Sequence, residues 1–365
     1  MGKTVPVANK NEAKMPPWRI GLIYNLQHNV AVEPDAPPDA RAEYDSEETI
    51  EGLAQALQAG GHQVVPLEAD RAFLDKVRQA EVDICFNIAE GLGGDAREAH
   101  VPAILEMLGI PYTGSKVLAQ AISLDKAMSK RIWRDAGLPT APFQVMVHGN
   151  ESLDRRLRFP LFAKPLREGS GMGIASNSVL NDEATLRKHV QWLIRTYRQP
   201  ALVEEYLSGR EFTVGLIGNT LASGEIPSNG RYDARGFHVL PILEIDLSPI
   251  AEANGIYDNH VKAELPLAAN YQCPAPLAAV QTIEMQRLAV DAFEAIGALD
   301  VSRVDLRLGR DGRPYLLEIN TLPGLNPTYS DIVLAARAEG LSYQELVLEV
   351  LDLAAVRSGL LPARK

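Results

Sequence analysis

Between Trp18 and Gly109 short apolar runs alternate with helix-patterned segments, and this alternation limits the possible folds more than any other feature of the chain. WRIGLIYN (18–25), HQVVPLE (62–68) and VDICFNIA (82–89) read as strands. EETIEGLAQALQA (47–59) has helical spacing and is closed by Gly60-Gly61, and RAFLDKVRQA (71–80) and AHVPAILEMLG (99–109) are the helices that follow. Strands alternating with helices predict a parallel, doubly wound sheet whose ligands collect at the C-terminal ends of its strands. The stretch 27–45, rich in Pro, Asp and Glu, is expected to be a long surface loop. A helix over about 117–136 leads onward, and Gly137-Leu138-Pro139 breaks it.

The texture changes after Pro139. APFQVMV (141–147), FPLFAKP (159–165), GMGIASNSV (171–179) and PALVEEYL (200–207) are strand-like, and one helix, EATLRKHVQWLIRTY (183–197), starts at Asn181-Asp182. Beyond Leu207 come EFTVGLIGN (211–219), HVLPILEID (238–246), a helix near 277–296, a hairpin and a helical tail. The later two-thirds is therefore α+β with antiparallel pairing. Three units follow: 1–118, 119–207 and 208–365.

Composition excludes several function classes. A formal charge of −11 over 365 residues disfavours non-specific binding to nucleic acid or an anionic membrane. No apolar stretch reaches the length of a membrane span, and the N-terminal segment lacks the apolar region of a signal peptide. With Cys85 and Cys273 the only cysteines, no disulfide framework is implied and a cytoplasmic setting is expected. His28, His100, His148, His189, His238 and His260 do not fall in metal-ligand spacing and read as scattered surface residues. Trp18, Trp133 and Trp192 read as core or partly buried anchors.

The hairpin VDLRLGRDGRPYLLEIN (304–320) carries chemistry. Counting outward from an Asp311-Gly312 turn sets Leu308 opposite Tyr315, Leu306 opposite Leu317 and Asp305 opposite Glu318. Val304, Leu306, Leu308, Tyr315, Leu317 and Ile319 then share an apolar face. Arg303, Asp305, Arg307, Leu316, Glu318 and Asn320 share the other. Facing like charges destabilise a sheet unless something lies between them. Asp, Glu and Asn oxygens are hard ligands of the kind Mg²⁺ takes while keeping positions for water and phosphate oxygens. A solvated face with the carboxylates paired to Arg303 and Arg307 is the alternative.

AKPLREGSGMG (163–173) brings three glycines within five residues, which lets backbone N–H groups approach an anion. Its spacing superficially matches a dinucleotide fingerprint, but a strand-like segment follows where that motif needs a helix. It reads as a flap over a ligand, with a flexible hairpin turn as the alternative. Lys164 ends the strand before it, within reach of a phosphate.

Taken together, LGIPYTGS, SLDKAMSKRIWRDAGLPT, KPLREGSGMG, VEEYLSGREFTVG, RVDLRL, LLEINTLPG and AARAEGLSYQELV resemble the D-alanine–D-alanine ligases of the ATP-grasp superfamily, from Val82 to the C-terminus. The resemblance implies an ATP-grasp fold preceded by a doubly wound parallel-sheet domain. It also implies a ligase that phosphorylates one amino acid's carboxylate with ATP and lets a second amine attack the acyl phosphate. It assigns Asp305, Glu318 and Asn320 to Mg²⁺ (or Mn²⁺), and Lys126 and Lys164 to the ATP phosphates. Glu204, Glu205, Tyr206 and Leu207 match the strand that binds adenine, and Glu211 the ribose carboxylate. Lys262 matches a mobile-loop lysine that reaches the γ-phosphate, and Arg303 the arginine that stabilises the tetrahedral intermediate. Ser170 matches a flap serine and Gly324 a backbone donor near that intermediate. The implied partners are small amino acids, and a homodimer is one possible assembly. A small-molecule kinase and a non-catalytic nucleotide-binding regulator are the alternative functions.

The departures from the family pattern cluster on the amino-acid side. Its early glycine-rich segment with an acidic residue for the donor ammonium has no counterpart here, and Glu90-Gly91 replaces His-Gly. Ala263 stands where a tyrosine follows the loop lysine, and Tyr329 and Ser330 replace a serine and a leucine. D-Ala-D-Ala is the default product, and another dipeptide or amide is plausible. Glu90, at the end of a strand, is the candidate for the donor ammonium.

Overall fold

The computed structural model describes residues 17–220, 230–248 and 270–362. Strands β1 (Arg19–Tyr24), β2 (Gln63–Glu68) and β3 (Ile84–Asn87) form a parallel sheet in the order β2-β1-β3. Between them run helices α1 (Glu47–Ala59) and α2 (Phe73–Gln79), and α3 (His100–Leu108) follows β3. Ser46 caps α1 by accepting from the Thr49 N–H, and α3 ends on Gly109 in the left-handed region. Leu53 and Leu57 of α1 pack into one cluster with Leu346, Val350 and Leu351 near the C-terminus, so this first sheet shares its core with the tail of the chain.

The expected helix over 117–136 is two helices, α4 (Val117–Leu124) and α5 (Lys126–Asp135). Asp125 between them is extended, and its carboxylate accepts from the Met128 N–H, which ends one helix and starts the next. A second, four-stranded sheet follows in the order β4 (Phe143–Met146), β7 (Ala201–Glu205), β5 (Leu161–Pro165), β6 (Val179–Leu180). It is antiparallel throughout and is covered by α6 (Glu183–Tyr197), capped by Asp182. GMGIASNSV contributes only the start of β6, because its first half is turn.

The largest sheet runs β11 (Asn270–Gln272), β10 (Leu243–Asp246), β8 (Glu211–Gly218), β12 (Asp300–Leu308), β13 (Pro314–Asn320), with β9 (Phe237–Val239) paired to β8. Helices α5 and α7 (Ala279–Ile296) cover one face through Trp133, Met285 and Phe293. Helices α8 (Asp331–Ala338) and α9 (Tyr343–Arg357) complete the chain. The expected fold class, a parallel-sheet unit ahead of two antiparallel sheets, is thus present. Among the described residues no helix is long and apolar enough to cross a membrane.

His189 and His238 correct the expectation of scattered surface histidines, since both are buried. Trp18 and Trp133 are core residues, whereas Trp192 is exposed rather than an anchor. His238 sits between two carboxylates, with Nδ1 2.9 Å from Glu349 Oε1 and Nε2 2.5 Å from Glu339 Oε1. Burial pushes its pKa down, but the Glu349 and Glu339 contacts outweigh burial and leave it above 6.5. A raised histidine stabilises fully below about 6.5 and loses that contribution as pH rises through the folded value. His238→Gln should therefore be less stable than the wild type at pH 6, with the gap in Tm narrowing as the pH is raised. A gap independent of pH would contradict the ion-pair assignment.

Candidate active site

Two cavities meet at the β12–β13 hairpin. The register there keeps Asp305 opposite Glu318 and Arg303 opposite Asn320, but a bulge follows, after which Leu306 pairs with Leu316 and Arg307 with Tyr315. The extra residue on β13 corrects the expected faces. Leu316 turns into the core with no exposure, while Leu317 joins Glu318 on the cavity side. The turn also differs. Gly312 is left-handed and its N–H bonds to Gly309 O, so the loop is longer than two residues, with glycine at its left-handed position.

Asp305 is held by Arg303, whose Nε and Nη2 lie 3.0 and 2.9 Å from its two oxygens. Thr213 Oγ1 donates to it at 2.6 Å and Asn320 Nδ2 at 3.2 Å. Arg303 also reaches Asp331 at 3.0 Å. Glu318 pairs with Lys126 at 3.4 Å. The arginine pairing of the alternative reading is therefore real for Asp305, and Glu318 is paired with a lysine. Among the described residues no group of three or more His, Cys, Asp or Glu side chains is arranged to hold a metal. The hairpin set is two carboxylates and an amide, which fits a hard cation that completes its shell with water and phosphate oxygens.

The narrower cavity, about 80 Å³, has apolar walls from Phe162, Ile174, Ile245 and Leu317, and Glu205, Tyr206 and Leu207 along one edge. Glu211 is held by Arg307 at 3.2 Å, and the Arg307 guanidinium lies over the Tyr206 ring at 5.2 Å. Glu204 is buried between two lysines, 3.0 Å from Lys164 Nζ and 2.7 Å from Lys130 Nζ. Burial pushes its carboxyl up, but the Lys130 and Lys164 charges win and hold it down at about 2. Burial lowers the Lys130 ammonium, whereas the charges of Glu204 and Glu318 outweigh burial at Lys164 and raise it. Lys130 was invisible as a site residue in the sequence, although it lies four residues after Lys126 and so shares its helix face.

The break at Asp125 explains the position of Lys126. Its backbone N–H donates to Leu166 O, and its ammonium reaches Glu168 O at 2.5 Å beneath the glycine-rich flap. In the flap Ser170 is left-handed, as are Gly171 and Gly173. A Cβ at Gly173 would sit 2.6 Å from the Pro165 ring, so glycine is required there. The Gly173 N–H donates to Asp39, and Tyr197 OH reaches the same carboxylate. Asp39 belongs to 27–45, which is thus more than a surface loop. It also supplies Glu43, which forms a buried bidentate pair with Arg97, and Arg97 in turn reaches Glu168 at 3.1 Å.

The larger cavity, about 450 Å³, contains Glu90, Ser170, Arg303, Asn320, Gly324, Tyr329 and Ser330 in its lining. Ser330 Oγ accepts from the Asn326 N–H at 2.8 Å, which shapes the 324–330 loop. Lys126, Arg303 and Glu318 line both cavities. Lys262 and Ala263 lie outside the described residues.

The chain matches a family model described as the D-ala D-ala ligase C-terminus over residues 132–352. It is 36% identical over 320 residues to the uncharacterized protein y4sG of Sinorhizobium fredii, covering 83% of this chain and 86% of that protein. It is 32% identical to the D-alanine–D-alanine ligase of Pseudoalteromonas translucida, covering 83% of this chain and 90% of that enzyme. The fold is similar to that of the D-alanine–D-alanine ligase from Bacillus anthracis crystallised with ATP, with a TM-score of 0.71 at 22% identity over 94% of this chain and 99% of the other. The antiparallel ATP-grasp architecture, the family match and these relatives agree: the chain belongs to the D-alanine–D-alanine ligase family.

Proposed function

We propose that the protein is an ATP-dependent ligase that joins two amino acids through an acyl phosphate. The observation that carries this reading is the shared wall of the two cavities, where Lys126, Arg303 and Glu318 face a narrow, apolar-walled slot on one side and a roomier chamber on the other. A phosphoryl group passing from slot to chamber would cross that wall. The donor carboxylate oxygen takes the γ-phosphoryl group and ADP leaves. The acceptor amine then attacks the acyl carbon, phosphate departs with the bonding pair, and the amine sheds a proton.

In this scheme Lys126 and Lys164 bind phosphate oxygens, and Glu204 keeps Lys164 charged and directed. Leu207 and Leu317 enclose the adenine, with Glu205 and Tyr206 at its edge and Glu211 on the ribose. Asp305, Glu318 and Asn320 would hold Mg²⁺, which when bound neutralises phosphate charge. Arg303, fixed by Asp305 and Asp331, offers a preorganised cation to the oxyanion of the tetrahedral intermediate. Ser170 and the Gly324 N–H are the further contacts at that centre, and Glu90 faces the donor ammonium. Tyr329 and Ser330 shape the acceptor side.

The test is ADP release with and without an acceptor amine, with mass measurement of the product. A ligase should release phosphate only when both amino acids are present and should yield a condensed product lighter than its parts by water. A phosphorylated product formed without the amine would indicate a kinase instead.

A further inference from the structure

The larger chamber is more acidic than a pair of neutral amino acids requires. Eight carboxylates line it against three cationic side chains. Five of the eight have partners within the protein: Arg97 for Glu43 and Glu168, Lys126 for Glu318, Arg303 for Asp331, and Tyr197 for Asp39. Asp45, Glu90 and Glu98 make no side-chain hydrogen bond or ion pair among the described residues. Asp45 Oδ2 in particular is buried with no hydrogen-bond partner.

These three come from different segments brought together beyond the C-terminal ends of the first sheet's strands. Glu90 follows β3, Asp45 precedes α1, and Glu98 lies in the short 3₁₀ turn before α3. Asn25, just past β1, ties two of the segments together, accepting from the Asp45 N–H at 3.0 Å and through its side chain from the Gly91 N–H at 2.8 Å. Burial pushes all three up; the charges of Glu98, Glu43 and Asp45 add to it at Glu90, and at Glu98 burial outweighs the lowering by Arg97, with Glu43 and Glu318 adding to the rise, to about 7. A buried carboxyl without a partner costs free energy that a bound cation would recover. One donor α-ammonium needs one carboxylate, which leaves two.

We propose that the chamber takes an amino acid carrying a second ammonium on its side chain, a diamino acid, with Glu90 at the α-ammonium and Asp45 and Glu98 at the side-chain ammonium. This assignment rests on the ligase reading for the identity of the carboxyl end, which Arg303 faces. A diamine without a carboxylate has the same two cations but nothing for Arg303.

The experiment is calorimetric binding to the full chain with a non-hydrolysable ATP analogue and Mg²⁺. The ligands are 2,3-diaminopropionate, 2,4-diaminobutyrate, ornithine and lysine in both enantiomers, alanine in both enantiomers, and putrescine. At least one diamino acid should bind about tenfold or more tighter than alanine of the same handedness and tighter than putrescine. Glu98→Gln should erase most of that preference while leaving affinity for the ATP analogue unchanged, and Asp45→Asn should do the same if it folds. Alanine binding equally well, putrescine binding best, no binding by either amino-acid class, or a preference that survives Glu98→Gln would each overturn the proposal. Amine-dependent ADP release is scored separately. Diamino-acid binding without release would leave this site standing and sink the ligase reading, and release with neutral amino acids alone would do the reverse.

Discussion

Replacing Glu318 with glutamine is expected to abolish ATP turnover, lowering kcat by about a hundredfold or more, while the protein stays folded. Glu318 stands directly opposite Asp305 in the sheet and lines both cavities. Asp305 is gripped by Arg303 and Glu318 reaches Lys126, so in the proposed scheme Glu318 is the carboxylate that would meet the phosphates together with that lysine. Its ion pair with Lys126 at 3.4 Å is long, whereas Glu204 meets Lys130 and Lys164 at 2.7 and 3.0 Å, so the variant should lose less Tm than Glu204→Gln does. Steady-state ADP release and thermal unfolding of the variant check both halves. Normal turnover in Glu318→Gln would remove the hairpin carboxylates from the chemistry.

Glu204→Gln should behave in the opposite way, as a folding defect first. It would remove the carboxylate that Lys130, fully buried, and Lys164, nearly so, both contact directly. Removing one partner of a buried ionic group costs about 3–5 kcal/mol. The pH dependence follows from the same trio. Glu204 is depressed from 4.5 to about 2, so its contribution is fully present above the unfolded value and is lost as pH falls through the folded one. That shift corresponds to about 3 kcal/mol at neutral pH. The wild type should lose stability between about pH 5 and 2 by more than Glu204→Gln does, as read by chemical denaturation at each pH. Parallel curves would show that Glu204 is not the group responsible.

The parts of the fold written in local pattern were legible. Residues 47–59 and 183–197 form helices with the bounds their spacing and caps predict, because Ser46 and Asp182 act on neighbours three residues away. The parts that depend on distant partners were not. The tie between Asp125 and the flap segment needs Arg167, whose Nε donates to the Asp125 carboxylate, and the importance of 27–45 needs Arg97, far along the chain from Glu43. The hairpin shows both cases at once. Its Asp305–Glu318 pairing was readable by counting, but the bulge that sends Leu316 inward was hidden, since Leu316 and Leu317 are the same residue type. Leucine at both positions satisfies either face, so only packing against α5 and α7 decides. Most of the residues assigned to nucleotide and substrate do line the two cavities, and Lys262 is the one that lies outside the described residues. What the motifs could not reveal is the supporting set, Lys130, Arg97, Arg307 and Asp331, whose roles exist only through contacts across the fold.

A ligase of this kind activates a carboxylate by phosphorylation and transfers the acyl group to an amine. Isotope transfer tests it whatever the metal geometry or the kinetic order. A donor amino acid labelled with ¹⁸O in both carboxylate oxygens is incubated with ATP, acceptor and enzyme, and the phosphate and the condensed product are weighed by mass spectrometry. Acyl-phosphate chemistry should place one labelled oxygen in the released phosphate and keep one in the new amide. Unlabelled phosphate alongside ADP, with both labels still on the amino acid, would contradict it.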